Sequence, residues 1–310
     1  MKPFRRILAV IDPTRESQGA LGRAAALAKL YGADLRLFAS CYYSYLTDIA
    51  ADYGPAAQSF SETTLKTVKD RLEQLAESVR SAGVSISCQA EWDRSRHGSI
   101  LAAAGQFGAD LIVKDTHYHT AISRALFTNT DWSLIRESTV PLWLVKKDQE
   151  FPAKPVVIAA LDLGEERKNA LSMDGFLLLA GREITRVLRG RLYVFHAFDL
   201  LPMLGDAATW AIKPERLPLE KLRSELRLSR AEALDALAGR HGISAEYRLL
   251  EAGPVTDTLP GMATQLQASL LVIGAAASND KALNRIGGTA EAVLDHVPCD
   301  LLILRPPVGA

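Results

Sequence analysis

A run of glycines and other small residues late in the chain could form a binding site for an anion. Gly274 opens a small-residue stretch that includes Ala277, and Gly287, Gly288 and Thr289 stand at the start of a predicted helix. Glycines at a helix start let backbone N–H groups approach a phosphate, and the helix dipole favours the negative charge. The same residues also fit a strand that ends at Gly274 and a simple turn at Gly287. The spacing alone leaves both interpretations open.

A carboxylate at the end of an earlier apolar run could complete such a site. Asp162 follows residues 156–161, a continuous apolar run that is typical of a strand covered on both faces. Its side chain could accept a hydrogen bond from a ribose hydroxyl or from an adenine amine. Because ligands of open parallel sheets bind beyond the carboxyl ends of the strands, we expect Asp162 and the Gly274 loop to share one edge of the sheet.

The elements that must position these residues alternate regularly between strands and helices. Apolar runs predict strands at residues 7–11, 33–39, 111–113, 142–145, 156–161, 192–196, 270–273 and 301–304, and alternating apolar and polar residues predict one more at 84–90. Helical spacing predicts helices at 16–31, 98–107, 130–137 and 219–237. Ser59 and Glu62 have the spacing of a capping box that would begin a further helix, and Gly32, Gly83 and Gly108 follow helices where a positive φ is preferred.

The alternating pattern occurs twice, which predicts two domains. Residues 146–155 are charged and contain two prolines, as a linker would, and Asp162 ends its strand 150 positions after Asp12 ends the first one. Strands that alternate with helices imply a parallel sheet with helices on both faces. We therefore expect an α/β protein with two tandem, doubly wound, Rossmann-like domains at residues 1–148 and 154–310. Each should hold a five-stranded parallel sheet flanked by helices.

The overall composition excludes several classes of protein. The chain has 310 residues, with 36 basic and 36 acidic side chains and 48% hydrophobic residues, so it is neither disordered nor a general nucleic-acid binder. No apolar run reaches the roughly 18–20 residues of a membrane span, and the first residues do not resemble a secretory signal. Cys41, Cys88 and Cys299 are too widely spaced to suggest disulfides or metal ligands, which favours a reducing cytoplasm.

Several of these residues carry a resemblance to the universal stress protein family. Domains of that family have an apolar first strand that ends in Asp, then a late Gly-x-x-Gly, nine residues and Gly-Ser/Thr before a closing apolar strand. The resemblance covers almost the whole chain. It implies a cytoplasmic protein with a role in surviving stress, such as DNA damage, whose two domains pack as an internal pseudo-dimer. The matching positions are Asp162, Gly274, Gly287, residues 297–305 and, for the tandem-domain members, residues 127–132 and 141–146.

The glycine motif of the family implies nucleotide binding, and this chain departs from that motif in both halves. In the second half Ala277 replaces the second glycine and Gly288 replaces Ser or Thr, so a methyl group crowds the phosphate and one hydroxyl donor is lost. In the first half Lys114, His117 and Phe127 replace all three glycines and fill the space that a triphosphate needs. We therefore expect no nucleotide in the first domain and weak binding of ATP or AMP in the second.

Two apolar excursions are also candidates for a ligand site. Residues 41–60 follow the second strand of the first half, and residues 198–218, which include Trp210, occupy the same place in the second half. Both segments are too apolar to be solvent-exposed spacers. They either cover helix ends and the interface between the domains, or line a pocket for a small apolar or amphipathic ligand.

The other polar residues do not form a recognisable catalytic set. His117 and His119 lack a third metal ligand, so we expect a solvated loop and no metal site, while His196 in a predicted buried strand is expected to be a hydrogen-bonded core histidine. We predict a stress-response protein that binds a ligand or a protein partner without turnover and can form a further homodimer. The alternative is an adenine-nucleotide-binding protein with slow ATP hydrolysis in the second domain.

Overall fold

The chain folds into two compact units. The computed structural model describes residues 3–41, 55–116, 129–146, 149–163, 173–200, 218–275 and 293–305. One unit contains residues 2–150 together with Asp300–Ile303, and the other contains Met1 and residues 151–299 and 304–310. Among the residues described, no helix combines the length and the apolar character needed to cross a membrane. Cys41, Cys88 and Cys299 all lie within the described residues, and no disulfide bond joins any of them.

The first unit is built around a parallel sheet. Its elements are β1 (Arg6–Val10), α1 (Gly19–Tyr31), β2 (Asp34–Cys41), α2 (Pro55–Ser81), β3 (Ile86–Trp92), α3 (Arg96–Phe107), β4 (Leu111–Asp115), α4 (Asn129–Glu137) and β5 (Leu142–Val145). The strand order is β3-β2-β1-β4-β5, and all neighbouring strands are parallel. The expected α/β class is therefore confirmed.

Local sequence signals explain most boundaries in the first unit, and two predictions need correction. Gly32 ends α1 with a φ of 63°, as predicted. The capping box at Ser59 is wrong, because α2 already begins at Pro55 and the Ser59 carbonyl accepts a hydrogen bond from Thr63 inside the helix. Proline is well tolerated in a first helical turn. β3 begins two residues later than predicted, because the pairing with β2 starts at Ile86.

The second unit repeats this architecture in its described residues. Its elements are β6 (Val156–Ala160), α5 (Met173–Leu188), β7 (Arg191–Phe198), α6 (Leu219–Arg240), β8 (Arg248–Ala252), α7 (Val255–Gln265) and β9 (Leu270–Gly274). The strand order is β9-β6-β7-β8, again with parallel neighbours. The sequence pattern did not single out β8 or α7, and α7 contains an internal proline, Pro260.

The internal repeat extends to single hydrogen bonds. β2 and β7 share the same burial pattern along eight residues, with an exposed first residue and three consecutive buried residues in the middle. The Ile11 N–H donates to the Phe38 carbonyl at 2.8 Å, and the Leu161 N–H donates to the Phe195 carbonyl at the same distance. The residue directly after each first strand is therefore fixed by the neighbouring second strand, which places Asp12 and Asp162 at equivalent points of their sheets.

The last strand, β10 (Asp300–Leu304), contributes most of its residues to the first unit. Leu302 lies opposite Trp143 in an antiparallel pairing with β5. Arg23 of α1 donates to the Asp300 carboxylate at 2.8 Å, with side-chain exposures of only 7% and 1%. The Trp143 indole and the Lys146 backbone N–H donate to the same carboxylate, each at 3.1 Å. Burial raises the pKa of Asp300, and the Arg23 charge opposes that rise.

Replacing Asp300 tests the importance of this buried ion pair. Asp300→Asn leaves the Arg23 charge buried without a counter-charge, and should lower the free energy of unfolding by about 3–5 kcal/mol. The measurement is urea denaturation of the full chain, followed by circular dichroism. Glu77→Gln, which removes one partner of an exposed Arg80 pair, is the control and should leave the midpoint nearly unchanged. An Asp300→Asn protein with an unaltered midpoint would contradict this account.

Candidate functional site

The backbone at the carboxyl end of β6 is fixed by side chains from two helices. Asp174, in the first turn of α5, accepts hydrogen bonds from the Asp162 and Leu163 N–H groups, each at 3.1 Å. Arg230 of α6 donates to the Leu163 carbonyl. Leu163 has a φ of 46°, a left-handed conformation that non-glycine residues adopt only when their surroundings impose it. The turn that carries Asp162 is therefore strongly constrained.

A buried histidine completes the constraint on this turn. His196 of β7 is 5% exposed, and its Nδ1 lies 3.0 Å from the Leu161 carbonyl oxygen. A carbonyl can only accept, so Nδ1 carries the hydrogen and Nε2 is unprotonated in the neutral ring. Burial lowers the pKa of His196 below its ordinary value of 6.5. The expected core position is observed, but Nε2 has no hydrogen-bond partner in the part of the chain that is described.

The Asp162 carboxylate itself is exposed. Within the described residues no hydrogen bond to this carboxylate is present, whereas Oδ1 of the equivalent Asp12 accepts from the Thr14 N–H at 3.0 Å and from the Thr14 hydroxyl at 2.6 Å. Asp12 thus stabilises its own turn. In the second half Asp174 performs that task from a distant helix, and the Asp162 side chain is left accessible to a ligand.

Gly274 ends β9 at the same edge, because β9 and β6 are neighbouring parallel strands. A Cβ at Gly274 would lie 3.0 Å from both Cγ and Cε of Met173 and 3.2 Å from its Sδ. This contact gives the glycine a packing role independent of any ligand. Of the predicted site residues, the structure thus places Asp162 and Gly274 at one edge. The other four, Ala277, Gly287, Gly288 and Thr289, lie outside the described residues, as do His117, His119, Phe127 and Trp210.

Gly274→Ala should destabilise the second unit modestly, by about 1–3 kcal/mol, because the added methyl group meets Met173 in a packed region. The Met173 side chain is flexible, so the effect should fall when Gly274→Ala is combined with Met173→Ala. Thermal melting of the full-length variants measures both effects. If the two substitutions simply add, the Met173 contact is not the reason for the glycine.

The corresponding edge of the first unit holds an internal ion pair. Lys114 Nζ, at the end of β4, lies 2.7 Å from Asp131 Oδ1 in α4 and donates to the Asp115 carbonyl at 2.8 Å. The Lys114 side chain is 10% exposed and that of Asp131 is fully buried. The sequence predicted that Lys114 adds bulk here, but Asp131 as its partner was not identified. No local pattern signals a pair that only the fold brings together.

Lys114→Met tests this pair, because methionine preserves most of the aliphatic volume and removes the charge. The variant should lose about 3–5 kcal/mol of unfolding free energy, since the Asp131 carboxylate stays buried without its cation. Adding Asp131→Asn should restore part of the loss, because two neutral groups cost less to bury than one unpaired charge. Urea denaturation of both full-length variants measures this difference. A neutral Lys114→Met would show that the pair contributes little.

Two units, each a parallel sheet with flanking helices and a polar edge beyond its strands, define a tandem protein of the doubly wound α/β class. The sequence profile of the universal stress protein family matches residues 3–146 and 157–305. The chain belongs to the universal stress protein family, which confirms the resemblance seen in the sequence. Membership of this family supports a role in the stress response.

Individual relatives agree with this assignment along the whole chain. Universal stress protein E of Escherichia coli K12 is 27% identical, over 99% of this chain and 95% of the relative. A solved structure described as a universal stress protein of Pseudomonas aeruginosa UCBPP-PA14 has a TM-score of 0.74 at 26% identity, covering 98% of this chain and 94% of that one. A universal stress protein from Archaeoglobus fulgidus DSM 4304 has a TM-score of 0.60 at 15% identity, with 97% and 98% covered, and shows the shared fold.

Proposed function

We propose that this chain is a cytoplasmic stress-response protein that binds a ligand or a protein partner without turning over a substrate. The two universal stress protein-like domains are residues 1–148, whose nucleotide loop is degenerate, and residues 154–310, whose edge would hold the ligand. The observation that supports this assignment is the contrast between the edges. The second half presents an exposed Asp162 on a constrained turn, whereas the first half holds the Lys114–Asp131 ion pair.

The ligand class favoured by the family resemblance is an adenine nucleotide bound weakly. Asp162 would accept from a ribose hydroxyl or an adenine amine, and the Gly287, Gly288 and Thr289 segment would offer backbone N–H groups to the phosphates. Ala277 and Gly288 weaken that arrangement, so tight binding is not expected. A small amphipathic ligand, a protein partner or a second copy of the chain is the alternative occupant, and slow ATP hydrolysis in the second domain is the alternative activity.

Restoring the family residues should strengthen ATP binding. A lost hydrogen bond to a charged phosphate costs about 1.5–3 kcal/mol, so Ala277→Gly with Gly288→Ser should improve the affinity roughly tenfold to a hundredfold. Asp162→Ala should weaken binding, because it removes the acceptor for the nucleoside. Isothermal titration calorimetry of the full chain with ATP measures each affinity. The full chain is needed because Asp300–Ile303 belong to the first unit.

Asp12→Ala is the matched control for Asp162→Ala. It removes the equivalent carboxylate of the first half, so it should lower stability through the Thr14 turn and leave the ATP affinity unchanged. Tight ATP binding by the unaltered protein would mean that the two departures matter little. No gain in the double substitution would place the ligand elsewhere, and mass spectrometry of small molecules retained by natively purified protein would then identify it. Phosphate release from ATP at a steady rate would favour the alternative activity.

A further inference from the structure

Residues 161–163 are held by an unusual number of side-chain contacts. The Leu161 carbonyl accepts from His196, the Asp162 and Leu163 N–H groups donate to Asp174, and the Leu163 carbonyl accepts from Arg230. The three side chains come from β7, α5 and α6. A leucine in the left-handed region resists this conformation, so the turn depends on the side chains that hold it.

The charges around His196 make this arrangement sensitive to protonation. The charged groups that face the imidazole are Arg230 from α6, Asp174 from α5 and Asp162 after β6. The burial of the ring and the Arg230 cation disfavour the charged imidazolium, and the two carboxylates favour it. A proton on Nε2 would also create a buried N–H donor for which the described residues offer no acceptor.

We propose that Asp174, Arg230 and His196 are positioning residues that hold Asp162 at the ligand edge, and that proton uptake by His196 at mildly acidic pH loosens this hold. The inference rests on the proposed function only in taking this edge as the ligand site. The first half lacks an equivalent histidine, because Ala39 occupies the position in β2 that His196 occupies in β7.

The direction of the pH effect follows from the two titrating groups. The pKa of His196 is lowered on folding, so its neutral form favours the folded turn above pH 6.5 and this contribution is lost as the pH falls below that value. Burial raises the pKa of Asp174, which gives a contribution of the opposite sign as the pH falls. The two groups can therefore be separated by replacing the histidine alone.

The first test is an NMR titration of the histidine rings in the full-length protein. His196 should titrate below 6.5. Arg230→Gln removes a nearby cation and should raise the pKa of His196, whereas Asp174→Asn removes a carboxylate and should lower it further. His241, which lies in the same unit, is the internal reference and should titrate unchanged in both variants. If the pKa of His196 responds to neither substitution, the proposal that Arg230 and Asp174 interact with its ring is wrong.

The second test measures hydrogen exchange of the Asp162 and Leu163 amides, as protection relative to unstructured peptide, at pH 7.5 and pH 5. Asp174→Ala should lower protection about tenfold at both pH values, because the two N–H groups lose their acceptor. Asp257→Ala, which removes an exposed acid from the first turn of α7, is the matched control and should have no effect. Unchanged protection in Asp174→Ala would overturn its positioning role.

His196 variants separate the pH response from simple packing. The wild type should lose protection at pH 5. His196→Asn keeps an N–H donor for the Leu161 carbonyl and cannot titrate, so it should stay protected at both pH values, whereas His196→Leu should be poorly protected at both. A loss at pH 5 that persists in His196→Asn would assign the response to another group and overturn the switch. A protein that passes these tests but fails to bind ATP would contradict only the proposed nucleotide site.

Discussion

The Asp300 carboxylate is the contact on which the first unit most depends. It is buried, and it accepts hydrogen bonds from Arg23, Trp143 and the Lys146 backbone, which join α1, β5 and the segment after β5 to a strand from the end of the chain. A buried charge is tolerated only when it is paired and its remaining lone pairs are satisfied. Residues 2–150 therefore lack a structural element when they are separated from Asp300–Ile303.

The two halves share a strand order and differ in how they use the edge beyond it. In the first half, Lys114 and Asp131 form an ion pair with each other inside the protein, so their charges are neutralised within the fold. In the second, the charged groups Asp174 and Arg230 bind backbone and leave the Asp162 side chain exposed. A duplicated fold has thus kept its architecture, while one copy of the edge holds an internal ion pair.

Holding the second edge has an energetic cost. A leucine in the left-handed conformation costs about 1–3 kcal/mol, and the buried His196 ring has an acceptor nitrogen without a partner among the described residues. Such costs are common where a backbone must be preorganised for a ligand, because the interactions that offset them come from the surrounding scaffold. The concentration of strain and titratable groups around Asp162, rather than its position alone, distinguishes it from Asp12.

The sequence by itself determined the architecture of this protein. Apolar and alternating patterns predicted every strand except β8, and Gly32 marked the end of α1, because periodicity and backbone preference act over a few residues. The offset of 150 between Asp12 and Asp162 revealed the repeat. The sequence alone also showed that Lys114, Ala277 and Gly288 differ from the glycine motif of the universal stress protein family.

Only the tertiary structure decided which side chains act together. His196 meets Leu161 across 35 positions, Arg230 meets Leu163 across 67 and Arg23 meets Asp300 across 277. The local sequence predicts none of these contacts. Arg230 is one of many charged residues on α6, and Asp174, which also binds this turn, resembles any acidic residue in a first helical turn. Their roles arise because packing brings charges that are distant in sequence into buried or half-buried surroundings, where an unpaired charge or polar group is costly.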